Sequence, residues 1–364
     1  MESTLERLCG RGYAEAPASR GALADIALAE RRAQGAGYAS AGDYAAGLAR
    51  RSVCLTLLAG SGSRWVKSLA PAAGREPGLA ASAASFDPSR PRGLFPVRDF
   101  LNHRASEARA AAPRDGSGRI PIAAYALAAV HGLGRHLLVV RGWEEEIDAE
   151  ILKPLGIGEG ERDFFTQSAP FGKPLGHGDA AWQCRELLRG ADYVVTNFGG
   201  DANSRRTILS SLLALDALRA GGREIDLLIP ATRLASPAYP IRLDEEGLPR
   251  GFGHAKLQGA GAAFGGGAGY TNVGVRVYSA PALLRELEDF RDRYWVEGQG
   301  YAIPGNDPEG HEFALDNVDA RLAGEGRARI LAAARPEELT PAKCVDDIPG
   351  FEAAIRSVVE EDMP

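Results

Sequence analysis

Apolar residues along this chain fall into short continuous runs separated by stretches of helical spacing. Val53 to Leu58 is a near-unbroken apolar run of strand length, and it ends in Gly60-Ser61-Gly62. His136 to Val140, Asp192 to Thr196 and Asp226 to Pro230 are further runs of this kind, and Phe164 to Gln167 is a shorter one. Between them, Pro121 to Leu133, Trp143 to Leu155, Gly178 to Leu188 and Ser204 to Arg219 carry the spacing of helices. Pro121 suits a helix start, and Glu144, Glu145 and Glu146 stand in a first turn, where the helix dipole favours acids. Apolar strands alternating with helices predict an α/β fold with a mostly parallel sheet covered on both faces.

The texture changes after residue 231. Tyr239 to Leu243 alternates like a half-exposed strand, and residues 259–269 are mostly Gly and Ala, which predicts a flexible loop. Thr271 to Tyr278 reads as one strand. Helices are predicted over Pro281–Asp292, Glu312–Leu322 and Ile348–Glu360. Upstream, residues 1–50 form an Ala-rich helical extension suited to packing or to joining copies of the chain. Residues 66–90 show little periodicity and predict a long mobile loop. The division expected is an extension over 1–50 and a catalytic domain over 51–364.

Composition narrows the functional classes. The 364 residues carry a net charge of −6, which supplies no general field for nucleic acid or an anionic membrane. No apolar run reaches membrane-span length. Cys9, Cys54, Cys184 and Cys344 are scattered, and the six histidines show no zinc-like spacing. Reduced thiols and a cytoplasmic location are the expectation.

Four segments carry candidate chemistry, each with a plainer alternative. Ala59-Gly60-Ser61-Gly62-Ser63 followed by Arg64 and Lys67 can cradle an anion with backbone N–H groups and a guanidinium, or can be a tight turn beside a solvated basic face. Gln167, followed by Gly176-His177-Gly178-Asp179, offers donors to a nucleobase at a helix start, or is only a helix entry. Gly200-Asp201 follows a strand, where Asp201 can meet Mg²⁺, or can close an Asx turn or cap the helix that follows. In Asp346-Asp347, Asp347 suits a helix cap, leaving Asp346 to reach a metal. A phosphate loop, a base-reading loop and two separated aspartates suit metal-assisted nucleotidyl transfer.

The ordered set resembles the sugar-1-phosphate nucleotidyltransferases over about residues 53–358. Leu57-Leu58-Ala59-Gly60-Ser61-Gly62-Ser63-Arg64-Trp65 is similar to their L-A-G-G-x-G-[TS]-R-[ML]. Pro91-Arg92-Gly93-Leu94-Phe95-Pro96-Val97 is similar to P-K-G-[ML]-[FY]-P-V, and Lys173-Pro174-Leu175-Gly176-His177-Gly178-Asp179 to K-P-x-G-H-G-D. These bring it nearest to UDP-sugar and UDP-N-acetylhexosamine pyrophosphorylases and to the uridylyltransferase domain of N-acetylglucosamine-1-phosphate uridylyltransferase. Tyr270-Thr271-Asn272-Val273-Gly274 matches E-x-N-x-G in its Asn and Gly, and Cys344-Val345-Asp346-Asp347 resembles G-V-[DN]-[TD].

The resemblance implies a Rossmann-like, GT-A-like nucleotidyltransferase fold with a mixed, mostly parallel sheet covered by helices on both faces. It also implies transfer of a uridylyl group from UTP, or another NTP, to a sugar 1-phosphate with Mg²⁺ as cofactor. Arg64, Lys67 and Arg92 would be catalytic. Ala59, Gly60, Ser61, Gly62, Ser63, Gln167, Gly176, His177 and Gly178 would bind the nucleotide. Gly200 and Asn272 would touch the sugar, within a sugar-binding region at about 231–310, and Asp201 and Asp346 would hold the metal. Arg92 stands where the family has lysine, and Tyr270 where it has an acid. A cytidylyl- or guanylyltransferase acting on another phosphorylated acceptor, and a nucleotide-sugar binding protein without turnover, are the competing expectations.

Overall fold

The computed structural model describes residue 34 and residues 41–59, 63–70, 74–101, 118–235, 237, 240–245, 247–252, 269–306, 311–331 and 334–362. Most of the predicted N-terminal extension, the glycines of the phosphate loop and most of the 259–269 tract lie outside the described residues.

The apolar run at 53–57 becomes β1 (Ser52–Leu57), preceded by α1 (Ala41–Ala49). Next come α2 (Ser63–Ser68), α3 (Pro77–Ser85), the short pair β2 (Pro96–Arg98) and β3 (Arg119–Pro121), α4 (Ile122–Val130) and β4 (Arg135–Val140). The helical run 144–155, α5, contains a π turn over Asp148–Leu152. Then follow β5 (Arg162–Thr166), α6 (His177–Gln183), β6 (Tyr193–Phe198), α7 (Arg205–Ala220) and β7 (Leu227–Leu234). The second half contributes β8 (Pro240–Leu243), β9 (Pro249–Phe252), β10 (Gly269–Asn272), β11 (Arg276–Ser279) and α8 (Ala280–Tyr294). It continues through the hairpin β12 (Trp295–Val296) and β13 (Gly300–Tyr301), then α9 (Leu315–Gly324), β14 (Ala328–Leu331) and α10 (Ile348–Asp362).

The main sheet runs β5-β4-β1-β6-β11-β7-β10-β8-β9, with β14 also paired to β7. β5, β4, β1 and β6 are parallel neighbours, as is the β14–β7 pair. β11 runs antiparallel between β6 and β7, and β10, β8 and β9 continue antiparallel. The sheet is therefore mixed. The expected parallel order holds for its first half, where helical crossovers connect the strands, and beyond β6 only for the β14–β7 pair.

Strand alternation distributes the core between two faces. Val53, Leu55, Leu137, Val139 and Val194 pack with Leu283 and Phe290 of α8 and Val318 of α9. Cys54 and Val195 point the other way, into α4 and α7. Leu138 and Val140 meet Ile151 of α5 and Phe351 of α10. Helices thus cover both faces, which is why the strands are apolar almost throughout.

Two expectations are corrected here. Within residues 66–90, the described part is ordered packing: α3 buries Leu79 and Ala83, and Phe86 and Phe95 enclose Trp65 in edge-to-face contacts with centroids 6.4 and 4.9 Å from the indole. Alanine and serine spacing conceals this helix because few of its side chains are large. The strand expected over Thr271–Tyr278 is two strands. The chain breaks at Gly274, whose φ of 86° leaves the extended region, so β10 joins the β7–β8 side while β11 enters the sheet centre.

The end of the N-terminal extension belongs to the core. Tyr44 and Leu48 of α1 are buried against α4 and α7, and Tyr44 donates a hydrogen bond to Asp216, which also accepts from Tyr193 at 2.8 Å. No helix among the described residues is long and apolar enough to cross a membrane.

Candidate functional site

The chain leaves β1, crosses to β4 and β5, and returns to β6 on the other side of β1. Strand order reverses there, and ligands of open α/β sheets gather at the carboxyl ends of such a switch point. A cavity of about 440 Å³ occupies that position. Leu57, Leu58 and Ala59 reach it from the end of β1, and Phe198 and Gly199 from the end of β6. Arg64 and Trp65 of α2, Arg92 and Gly93, and Lys343 line the same cavity, as do Gln167, Lys173, Gly176 and His177. Segments far apart in sequence thus meet at one opening, where Arg64, Arg92, Lys173 and Lys343 outnumber the one lining carboxylate, Glu312, and make it suited to an anion.

Arg92 is the electrostatic centre. Burial lowers its pKa, Asp201 and Asp347 favour its charged form, and the neighbouring Arg64 disfavours it. A guanidinium remains charged under these influences because its ordinary pKa lies so far above neutrality. Gly200 makes room for it: a β-carbon there would stand 2.7 Å from Arg92 Nη2. Gly200 therefore serves the arginine by being small.

Asp201 follows β6 and is held by a turn in which its N–H donates to the Phe198 carbonyl at 3.2 Å. Burial raises its carboxyl pKa to about 6, against the opposing pull of Arg92, Lys343 and Arg276. The alternative role as a cap for α7 is taken by Ser204, whose hydroxyl accepts from the Thr207 N–H at 3.3 Å.

On the opposite wall, Gln167 is buried and its Nε2 donates to the Gly176 carbonyl at 3.4 Å. Gly176, with φ of 98°, and Gly178 pack directly on the Phe313–Ala314 backbone, where no β-carbon fits. The N–H groups of Gly178 and Asp179 both donate to the Phe313 carbonyl, at 2.9 and 3.3 Å. The donors expected to face a base at this helix start are thus engaged within the protein. His177 is also engaged: its Nδ1 accepts from the Leu315 N–H at 3.0 Å, and its Nε2 lies 3.3 Å from Asp316.

Behind His177 stands a charged network that the sequence patterns did not mark. Arg276 of β11 is buried and donates to Asp319 at 2.7 Å and to Asp316 at 3.0 Å, and Tyr278 donates to Asp319 at 2.5 Å. These partners raise the Arg276 pKa despite its burial. They tie β11, α9 and the start of α6 into one frame.

The remaining expected residues are placed differently. Lys67 is exposed on α2, outside the cavity lining. Asn272 directs its Oδ1 to the N–H of Gly274 at 3.2 Å, forming a turn. The C-terminal aspartates are placed differently from each other. Asp347 reaches back to accept from the N–H groups of Lys343 and Cys344, both at 2.8 Å, so it closes a turn and does not cap α10. It is Asp347 whose charge acts on Arg92, whereas Asp346 is exposed and accepts from Arg75 at 2.9 Å. Gly60, Ser61 and Gly62 lie outside the described residues, and Ser63 opens α2. Lys343, a cavity cation, carried only one signal in the sequence: a basic residue immediately before Cys344-Val345-Asp346-Asp347. Cys54, Cys184 and Cys344 are free thiols.

No family model matches the chain, and no curated protein matches it.

Proposed function

We propose that the chain transfers a nucleotidyl group, with UTP as the preferred donor, to a sugar 1-phosphate. The supporting observation is the meeting of Arg64, Arg92 and Lys343 in one cavity with Gln167, at the switch point of the sheet and beside Asp201. The motif resemblance assigns the same segments to triphosphate, base and metal.

In this reading a phosphate oxygen of the sugar 1-phosphate attacks the α-phosphorus of the nucleotide. The bond from that phosphorus to the bridging oxygen breaks, and pyrophosphate departs with the electron pair. The attacking phosphate is already ionised near neutral pH, so no general base is needed. Arg64, Arg92 and Lys343 hold the charged oxygens in line and stabilise charge as it moves to the leaving group. Gln167 presents a carboxamide to the base from a buried position. Lys173 extends the cationic wall.

Asp201 fits Mg²⁺ in one respect: the ion often takes one or two carboxylates and completes its shell with water and substrate phosphates. Among the described residues no cluster of three or more His, Cys, Asp or Glu side chains could hold a metal alone. Substrate oxygens would therefore complete the site. The ion would supply further charge neutralisation on the triphosphate.

Pyrophosphate release with UTP, Mg²⁺ and a panel of hexose 1-phosphates tests the proposal, with the other NTPs run beside UTP. Turnover that disappears in Asp201→Ala, with the fold retained by circular dichroism, is the expected result. A folded wild-type protein that turns over no NTP with any acceptor would sink it.

A further inference from the structure

Arg75 stands in the stretch expected to be mobile, yet its side chain is only 4% exposed. Its Nη1 donates to the Ala70 carbonyl at 3.0 Å and its Nη2 to the Ser68 carbonyl at 2.9 Å, at the C-terminal end of α2. Its Nε donates to Asp346 Oδ1 at 2.9 Å. Next to it, the Ser68 hydroxyl donates to the Trp65 carbonyl at 2.7 Å and accepts from the Val345 N–H at 2.9 Å. Two adjacent links therefore join α2, which carries Arg64, to the segment that carries Lys343.

We propose that Arg75, Asp346 and Ser68 form a clasp that sets the spacing of Arg64 and Lys343 across the anion site, and that Asp346 acts as a positioning residue and not as a metal ligand. The proposal rests on the reading of the cavity as a triphosphate site. Arg64 is exposed on a helix of only six residues, and such a short helix has little stability of its own. Its position must come from tertiary anchors. On one side Trp65 is buried among Phe86 and Phe95. On the other side are the two links to residues 345 and 346. Lys343 is in turn fixed to them by the Asp347 turn, which binds the N–H groups of Lys343 and Cys344. Arg75 holds three acceptors from within the protein, a geometry that lysine cannot reproduce with a single ammonium.

The clasp and the metal-ligand role make opposite predictions for conservative changes. An asparagine at 346 still offers Oδ1 to the Arg75 Nε–H, whereas a metal ligand that loses its charge holds the ion more weakly and shifts the Mg²⁺ dependence. The test measures binding of UTP and of tripolyphosphate by titration calorimetry, and pyrophosphate release across a Mg²⁺ series. The proteins are wild type, Asp346→Asn, Asp346→Ala, Arg75→Ala, the Arg75→Ala/Asp346→Ala double variant, and the milder Ser68→Ala.

The clasp predicts that Asp346→Asn stays near wild type. Asp346→Ala and Arg75→Ala should each weaken tripolyphosphate and UTP by about tenfold, mainly through KM, with the Mg²⁺ dependence unmoved. The double variant should be no worse than Arg75→Ala, because residues acting through one contact are not additive. Ser68→Ala should weaken binding in the same direction and gives the answer if Arg75→Ala does not fold. Loss of kcat or a shifted Mg²⁺ dependence in Asp346→Asn overturns the proposal, as do additive effects or unchanged binding in Arg75→Ala and Ser68→Ala. A wild-type protein that binds neither UTP nor tripolyphosphate rejects the anion site itself, and the clasp with it. Wild-type binding with indifferent variants rejects the clasp alone.

Discussion

Gly274 packs so closely on Asp201 that a β-carbon at 274 would collide with the aspartate's Oδ2. The same glycine has φ of 86° and breaks the strand expected over 271–278 into β10 and β11. One residue thus breaks the strand and makes room for the carboxylate beside the cavity. Gly274→Ala should therefore lower stability by about 1–3 kcal/mol through the left-handed backbone alone. It should also reduce nucleotidyl transfer at least about tenfold by displacing Asp201. Thermal denaturation and pyrophosphate release check the two effects separately, and wild-type turnover in this variant would show that Asp201 need not stand where it does.

Asp201 makes stability depend on pH. Its folded pKa, about 6, lies above the ordinary 3.8, so the folded state holds the proton more tightly than the unfolded state. Stability must then fall as pH rises between those values, and the penalty persists above them. Asp201→Asn removes the charged form. Measured with a chelator present, it should raise stability by about 1–3 kcal/mol at pH 7.5 and by little at pH 4. Denaturant melts at the two pH values decide this. A variant equally stable or less stable than wild type at pH 7.5 would contradict the burial argument.

The three cavity cations should act on polyphosphate binding. Replacing Arg64, Arg92 or Lys343 singly with alanine should weaken UTP binding by about tenfold to a hundredfold, since each removes a charge-assisted contact worth about 1.5–3 kcal/mol. Arg92→Lys should recover part of the loss, because it restores the charge without the planar fork. Lys67→Ala, on the exposed side of α2, should leave binding unchanged. Titration of UTP at fixed ionic strength measures all five, and a strong effect of Lys67 with none from Lys343 would refute the placement.

The docking of α1 can be tested apart from catalysis. Tyr44→Phe removes a donor from the buried Asp216 carboxylate, which then keeps Tyr193 and the Arg51 guanidinium 3.8 Å away. The expected loss is about 1–3 kcal/mol in a denaturant melt with kcat unchanged. An unaltered melting curve would mean that the Tyr44–Asp216 hydrogen bond contributes nothing to stability.

Local patterning placed most elements correctly because it depends on neighbours in the chain. β1, β4, β6 and α7 were legible from continuous apolar runs and 3.6-residue spacing; glycines and polar residues at strand ends singled out Arg64 and Gln167, which line one cavity, and Asp201, which lies beside it. The helix α3 escaped because alanine and serine give little periodic contrast. Gly178 misled for a different reason. A glycine in the first turn of a helix suits an approaching ligand and an approaching backbone equally, and here the backbone of Phe313 occupies the place.

By itself the sequence determined the apolar strands β1, β4, β5, β6 and β7 and most of the long helices, that both faces of the sheet are covered, and which short motifs lie at strand ends. These follow from side-chain period and backbone preference. Only the tertiary structure decided that β11 runs antiparallel through the sheet centre. Only it brought Lys343 into the cavity, turned Asp347 toward Arg92 and gave Asp346 to Arg75. Adjacent aspartates look alike along the chain, and which one acts on Arg92 depends on a local turn at 343–347 and on contacts from Ser68 and Arg75, far away in sequence.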